Sequence, residues 1–179
     1  MNSANKNGLM AGGTPPLPTG CFPLNARVLT PTGFVPIGQL AKGDLVMSRT
    51  KGGTLGARRI TRVLDKEPAA LVVAKFESGK CSPPSTLSHS FKTLRGWLSM
   101  EKLKKGDVLI RLDGEDIVTE IVPFGNPEPV RNLYTEGEHN FIVAGYVVHN
   151  FTHFRQLRVA LHKAFFDSVG GFDGVAVTQ

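Results

Sequence analysis

The sequence predicts an all-β fold, and composition and local patterning are the first observations that indicate it. The chain has 179 residues, of which 41% are hydrophobic and 20% charged, so it is long enough and apolar enough to bury a core. Between residues 28 and 119, short runs of Val, Leu and Ile are separated by Gly, Pro, Asp and two Lys-Gly-Asp triplets. Short apolar runs between turn formers are typical of strands joined by tight turns. We therefore expect one β-rich domain.

An internal repeat is the second observation. Residues 33–47 (GFVPIGQLAKGDLVM) align with residues 96–110 (GWLSMEKLKKGDVLI) at a constant offset of 63. Each copy has an aromatic residue after a Gly, then a Leu, then Lys-Gly-Asp. We interpret each copy as a Gly turn, a one-turn helix anchored by Leu, a Gly-Asp turn and a strand. Two such copies can cover each other's apolar faces as a pseudo-twofold pair.

Both ends of the chain differ from this β region. Residues 1–20 are rich in Gly, Pro, Asn and Thr, which is typical of a linker-like flank. After Phe151, the stretch FRQLRVALHKAFFDSV repeats Phe and Leu at helical spacing and is followed by Gly-Gly. This pattern predicts an amphipathic helix with a glycine stop. We expect an N-terminal flank (1–20), a β domain (21–150) and a partly helical C-terminal flank (151–179).

The charge distribution argues against two classes of partner. The net charge is +6, and much of it lies in one run whose members are Arg49, Lys51, Arg58, Arg59 and Arg62. No aromatic residues interleave with this run, so we expect a solvated hairpin loop and no nucleic-acid site. No apolar core follows the first basic residue, and no run approaches ~20 apolar residues, so we expect neither a signal peptide nor a membrane span. We expect a soluble, cytoplasmic monomer and leave its location otherwise open.

The two cysteines, Cys21 and Cys81, do not form a Cys-x-x-C pair. A zinc site built from them and the five His would need unusual spacing, so we expect no metal and no cofactor. A disulfide between the two has no support in the sequence.

Reactive side chains lie at both boundaries of the β region. Cys21 follows Gly20 at its start, and the apolar stretch NFIVAGYVVHN ends on His149 and Asn150. Three more candidates lie between them: Thr86, His89 and His139. Each alone is typical of a turn, a strand end or a surface. Together, a nucleophile at the first position and an Asn at the last indicate chemistry at both boundaries.

These motifs resemble those of the Hint domains, which occur in inteins, bacterial intein-like domains and hedgehog-type autoprocessing modules. CFPLNARVLTPTGFVPIGQLAKGDLV resembles the opening motif, TLSH the Thr-x-x-His motif, and NLYTEGEHNFIVAGYVVHN the two closing motifs. The resemblance covers residues 21–150. It implies a flat, horseshoe-shaped β disk with pseudo-twofold symmetry, in which Cys21 and Asn150 lie side by side at the centre. It implies no cofactor, and the protein's own flanks are the substrate.

At the upstream junction, the resemblance implies that Cys21 attacks the carbonyl of Gly20 and forms a thioester. Gly20 has no side chain to obstruct that attack. His89 would protonate the leaving nitrogen, and Thr86 would orient the peptide. General acid-base help supplies roughly 3–5 kcal/mol and positioning about 7–11 kcal/mol, so a rigid scaffold matters most.

At the downstream junction, the Asn150 side-chain amide would attack its own backbone carbonyl and close a succinimide. That ring closure releases the amine of Phe151. His149 and His139 would protonate the leaving amine and polarise the carbonyl.

Two departures from the family pattern qualify these expectations. Asn132 stands where Asp is frequent, and a neutral amide is suited to orienting groups. Phe151 stands where splicing inteins carry Cys, Ser or Thr, and Thr152 lies one residue too far for the usual ring. We therefore expect release of the flanks, with an external thiol or water as acceptor. Splicing through an atypical acceptor and a silent Hint-fold interaction module are the alternatives.

Overall fold

The computed structural model describes residues 20–150. The predicted C-terminal helix, Phe151 and nearly all of the N-terminal flank lie outside this range. The first half contains β1 (Phe22–Pro23), β2 (Arg27–Thr30), β3 (Gly33–Pro36), β4 (Leu45–Arg49) and β5 (Leu55–Phe76). The second half contains β6 (Ser90–Thr93), β7 (Gly96–Ser99), β8 (Val108–Ile110), β9 (Glu115–Thr135), β10 (Asn140–Val143) and β11 (Tyr146–His149). Short 3₁₀ turns cover Ile37–Gln39 and Met100–Lys102. Within residues 20–150, no helix has the length and apolar character to cross a bilayer.

The strands form one antiparallel sheet system, so the predicted all-β class is confirmed. Its order is β3-β2-β10-β11-β6-β8-β9-β5-β4, with β1 added to β9 and β7 added to β6. The two long strands β5 and β9 pair along most of their length, with register shifts that bend the ladder. The last two strands, β10 and β11, lie between β2 from the start of the domain and β6 from its second half. Strands from both ends of the domain are therefore neighbours.

The predicted repeat is confirmed by matching hydrogen bonds at the same offset. The Asp44 carboxylate accepts the backbone N–H of Ala41 at 2.8 Å, and the Asp107 carboxylate accepts that of Lys104 at 2.8 Å. Gly33 and Gly96 open the two copies with φ angles of 120° and 107°, which favour glycine. Each copy then continues through one 3₁₀ turn to its strand, as the sequence pattern predicted.

The symmetry reaches further upstream than the sequence alignment did. A turn closed by Ala26 N–H donating to Pro23 O at 3.0 Å follows Cys21. A turn closed by His89 N–H donating to Thr86 O at 3.0 Å occupies the equivalent place in the second copy. The Thr-x-x-His stretch is thus the second copy of the turn after Cys21, with His89 in the position of Ala26. Of the two turns, only the second carries a Thr and a His.

The core lies between the two copies and contains aromatic residues from both. Its fully buried side chains include Phe22, Phe91, Phe141, Ile37, Ile60, Met100, Leu109 and Leu133. Burying each such side chain stabilises the fold by roughly 1.5–3 kcal/mol. The basic run lies where the sequence placed it, on the β4–β5 hairpin.

Candidate active site

Thr86 holds the peptide bond that joins Gly20 to Cys21. The backbone N–H of Cys21 donates to Thr86 Oγ1 at 2.9 Å. In the opposite direction, the backbone N–H of Thr86 donates to the carbonyl oxygen of Cys21 at 3.0 Å. Both bonds follow from the turn that places Thr86 beside β1. The nitrogen of the upstream junction therefore has a fixed orientation.

Gly20 packs directly against the backbone of His89. A Cβ at position 20 would overlap the His89 Cα and lie 2.5 Å from both N and Cβ of His89. Real Cβ atoms essentially never approach another heavy atom within 3.0 Å. Glycine at this position therefore lets the junction touch the histidine, a stronger reason than leaving the carbonyl unobstructed.

The His89 imidazole lies in an aromatic cage. Its ring centroid is 4.1 Å from that of Phe22, 5.9 Å from Phe91 and 6.5 Å from Phe141. Burial lowers the pKa of His89 from 6.5 to about 3; the Gly20 backbone opposes this shift, and His149 adds to it. Within residues 20–150, neither ring nitrogen makes a hydrogen bond of good geometry. The ring is neutral at neutral pH and faces the Gly20 junction.

The Cys21 thiol is fully buried in a small apolar cluster with Leu71 and Val130. Burial raises the pKa of the thiol from 9.0 to about 11; Lys66 lowers it and Asp65 raises it. The thiol is therefore protonated at neutral pH, and its proton must leave as it attacks. Cys81 is exposed, and the two cysteines are not bonded to each other.

Strand β9 places Asn132 next to Cys21. Phe22 pairs with Arg131, and one more residue of the same antiparallel register brings Cys21 opposite Asn132. Asn132 is buried, and its Oδ1 accepts the backbone N–H of Leu133 at 2.8 Å. The Arg131 guanidinium donates to the Gly38 and Leu40 carbonyls at 2.9 and 3.0 Å, which fixes β9 against the first 3₁₀ turn.

Asn150 is held from the same strand. It is 2% exposed, and its side-chain Nδ2 donates to the carbonyl oxygen of Leu133 at 2.5 Å. Its backbone N–H donates to the carbonyl oxygen of His139 at 3.1 Å. No sequence signal marks Leu133, because its contribution is a backbone carbonyl. Asn150 Oδ1 has no hydrogen-bond partner among the described residues.

The other two histidines occupy different positions from one another. His149 pairs with Ser90 on β6, and its ring centroid lies 4.7 Å from that of Trp97. Burial lowers the pKa of His149 from 6.5 to about 4, with a further contribution from His139. The His139 ring is exposed, and its Nδ1 lies 3.0 Å from the Thr135 carbonyl, so Nδ1 carries the hydrogen. His139 contacts Asn150 through its backbone carbonyl.

These contacts gather most of the predicted site residues around one point. Extending the pairing of His149 with Ser90 by one residue brings Asn150 opposite His89. The adjacent residues Asn132 and Leu133 lie beside Cys21 and hold Asn150, respectively. The residues of both junctions therefore lie near the C-terminal end of β9. Within the part of the chain that the structure describes, no three His, Cys, Asp or Glu side chains form a potential metal cluster.

Comparison with solved structures identifies the fold. The DnaB intein from Synechocystis sp. PCC 6803 is 20% identical and has a TM-score of 0.66, covering 74% of this chain and 99% of its own. The gp41-1 intein is 24% identical, with a TM-score of 0.63 and coverage of 73% and 98%. The bacterial intein-like domain from Clostridium thermocellum is 23% identical, with a TM-score of 0.64 and coverage of 73% and 98%. By sequence, no family model and no curated protein matches. Residues 20–150 thus have the Hint fold, which they share with inteins and bacterial intein-like domains.

Proposed function

We propose that this protein cleaves its own chain at two peptide bonds, before Cys21 and after Asn150, and so releases both flanks. The proposal rests on the contacts that hold the Gly20–Cys21 peptide. Its N–H is bound by Thr86, and Gly20 packs on His89 so closely that a Cβ would not fit. Structural packing alone does not require a buried thiol, a threonine and a histidine to meet at one peptide bond.

The upstream step exchanges one bond at the Gly20 carbonyl carbon. Cys21 Sγ forms a bond to that carbon, the bond from the carbon to the Cys21 nitrogen breaks, and the thiol proton ends on that nitrogen. The product is a thioester between Gly20 and the Cys21 side chain, with a free α-amine on Cys21. An external thiol or water then releases residues 1–20.

The position of His89 against the Gly20 junction suits it to deliver a proton to the leaving nitrogen. The pKa of the Cys21 thiol is raised to about 11, so little thiolate is present before the reaction. The pKa of His89 is lowered to about 3, so the ring is neutral at neutral pH and, once protonated, is a stronger acid than an ordinary imidazolium. Such general acid-base help supplies ~10²–10⁴-fold. Holding the thiol against the carbonyl contributes more, about 7–11 kcal/mol.

The downstream step closes a ring within Asn150. Its Nδ2 forms a bond to its own backbone carbonyl carbon, the bond to the Phe151 nitrogen breaks, and one amide proton moves to that nitrogen. The 2.5 Å hydrogen bond from Nδ2 to the Leu133 carbonyl orients the amide nitrogen and polarises its N–H bond. The His139 carbonyl fixes the Asn150 backbone, and the neutral His149 ring adjoins the junction as a proton carrier.

Phe151 determines the outcome, because it has no hydroxyl or thiol. The thioester formed at Cys21 has no acceptor in the first residue after Asn150. The two cleavages are therefore expected to release the flanks without joining them. Asn132, beside Cys21, orients the backbone of β9 and does not act as a base.

The test is the intact mass of freshly expressed full-length protein over time, with and without dithiothreitol. The wild type should give fragments that begin at Cys21 and at Phe151, and thiol should accelerate the first. Cys21→Ala should abolish upstream release, whereas Cys81→Ala, which alters the exposed cysteine, should not. Asn150→Ala should abolish downstream release, whereas Asn126→Ala on the exposed part of β9 should not.

His89→Ala should slow upstream release by roughly the 10²–10⁴-fold of a lost general acid. If the wild type stays intact under all these conditions, the protein is a silent Hint-fold module and the proposal is wrong. Upstream release that persists unchanged in Cys21→Ala would exclude the thioester.

A further inference from the structure

A cleft of about 580 Å³ lies next to the downstream junction. Trp97, Leu94, Ile110 and Val147 form its apolar surface. Arg49, Lys51 and Lys92 form a basic rim. None of the steps proposed above uses this cleft.

Strand pairing places the cleft and His149 on the same face of the sheet. His149 pairs with Ser90, and Lys92 pairs with Trp97. Side chains two residues apart on a strand point to the same side, so Val147 shares the face of His149 and Lys92 that of Ser90. The 4.7 Å contact between the His149 and Trp97 rings agrees with this arrangement. His149 is therefore at the edge of the cleft.

Asn150 points the other way. Its side chain is buried and donates to Leu133 on the core side of the sheet. Side chains alternate along an extended chain, so an extended continuation beyond Asn150 would bring the next side chain to the face of His149 and the cleft. That residue is Phe151, the first of 29 residues that follow Asn150, and Phe154 comes three residues later.

The chemistry of the cleft suits aromatic side chains. Leu94 is 65% exposed, more than any other large hydrophobic residue that the structure describes. Trp97 offers an indole ring, whose edge and face both pair well with phenyl rings. Covering Leu94 and Trp97 would remove apolar surface from water at roughly 25 cal/mol per Å².

We propose that this cleft binds the aromatic residues Phe151 and Phe154 of the C-terminal flank. Their docking would hold the Asn150–Phe151 peptide in place at the edge of the active site. It would also give Phe151 a role of its own: the residue that cannot accept an acyl group instead anchors the bond to be cut. This effect on cleavage rests on the proposed function, but the docking itself does not require cleavage.

Trp97 is the single tryptophan of the chain, so its fluorescence reports on this cleft alone. The experiment uses the full-length Cys21→Ala/Asn150→Ala chain, in which neither junction can react. Adding Phe151→Ala and Phe154→Ala should shift Trp97 emission to the red and raise its acrylamide quenching constant roughly twofold, because the indole loses its cover. The matched control, Phe165→Ala and Phe166→Ala in the same chain, should leave both readings unchanged.

A second variant keeps the test independent of changes in the flank. Leu94→Lys alters an exposed residue at the edge of the cleft and should reproduce the red shift with the native flank present. Unchanged emission in both the Phe151/Phe154 and the Leu94 variants would overturn the proposal. The proposal would also be overturned if sulfate changed Trp97 emission equally in chains with and without Phe151 and Phe154. That result would indicate that the basic rim binds an anion. Failure of self-cleavage alone would leave the fluorescence result intact.

Discussion

The sharpest test of the upstream site is the substitution Gly20→Ala, which adds a single methyl group. That group would lie 2.5 Å from His89 N and Cβ, whereas ordinary van der Waals contact begins at 3.4 Å. The neighbouring atoms belong to the backbone and Cβ of a buried residue, so they cannot rotate away. His89 or the Gly20 junction must therefore shift by roughly one ångström.

Two consequences follow from that shift. Overpacking of this kind destabilises a fold by typically 1–3 kcal/mol. A misplacement of about 1 Å in an active site slows a reaction by about 10²-fold. We therefore expect upstream release to slow by about 10²-fold in Gly20→Ala. The downstream step should slow far less, because the hydrogen bonds of Asn150 with Leu133 and His139 do not involve Gly20.

The assay follows both fragments by intact mass in one reaction, so that downstream release reports that the domain is folded. Gly52→Ala is the matched control, since a Cβ there would come no closer than 3.9 Å to its neighbours. It should leave both rates unchanged. Upstream release in Gly20→Ala at the wild-type rate would show that the contact with His89 does not position the junction, and the reasoning would be wrong.

Three further predictions concern protonation and the missing acceptor. Burial lowers the pKa of His89 and His149 to about 3 and 4, so their neutral forms add stability above pH 6.5 that is lost as the pH falls toward those values. The thermal unfolding temperature of an uncleaved variant should fall over this acid range, and His89→Gln with His149→Gln should reduce that fall. An unchanged fall in the double variant would contradict the assignment. Burial raises the pKa of Cys21 to about 11, so its stabilising contribution is present below pH 9.0 and lost as the pH rises toward 11. Cys21→Ala should remove that alkaline loss in the same measurement. Phe151→Cys supplies an acceptor, so mass spectrometry should detect residues 1–20 joined to 151–179; cleavage at both ends with no joined chain would mean that the junctions do not meet.

Local sequence was sufficient to predict the β class, the repeat and the turns. The Lys-Gly-Asp turns formed as predicted because each is closed by its own aspartate within three residues. The upstream part of the repeat was missed, although Leu24 with Leu87 and Thr30 with Thr93 preserve the same offset. Those residues lie in turns and in the short strands β2 and β6, where too few residues match to reveal the repeat from sequence.

The sequence predicted the side chains of the candidate site, and the family resemblance predicted that Cys21 and Asn150 lie side by side. The sequence indicated Cys21, Thr86, His89 and Asn150 as reactive groups, and their catalytic roles remain predictions. It held no signal for the carbonyls of Leu133 and His139 that bind Asn150, since every residue has a carbonyl. The role of the His139 imidazole also remains a prediction, beside the backbone hydrogen bond that this residue makes to Asn150.

The sequence by itself therefore determined which groups this protein carries and how its turns are built, because those features depend on neighbours along the chain. The tertiary structure alone decided which part of β9 lies against each end of the domain: Leu133 binds Asn150, and the pairing of β1 with β9 brings Cys21 close to Asn132. It also decided that His89 is neutral, since its pKa depends on the aromatic residues and the glycine packed around it. Burial and strand register are properties of the folded chain, and the reactivity of these groups depends on both.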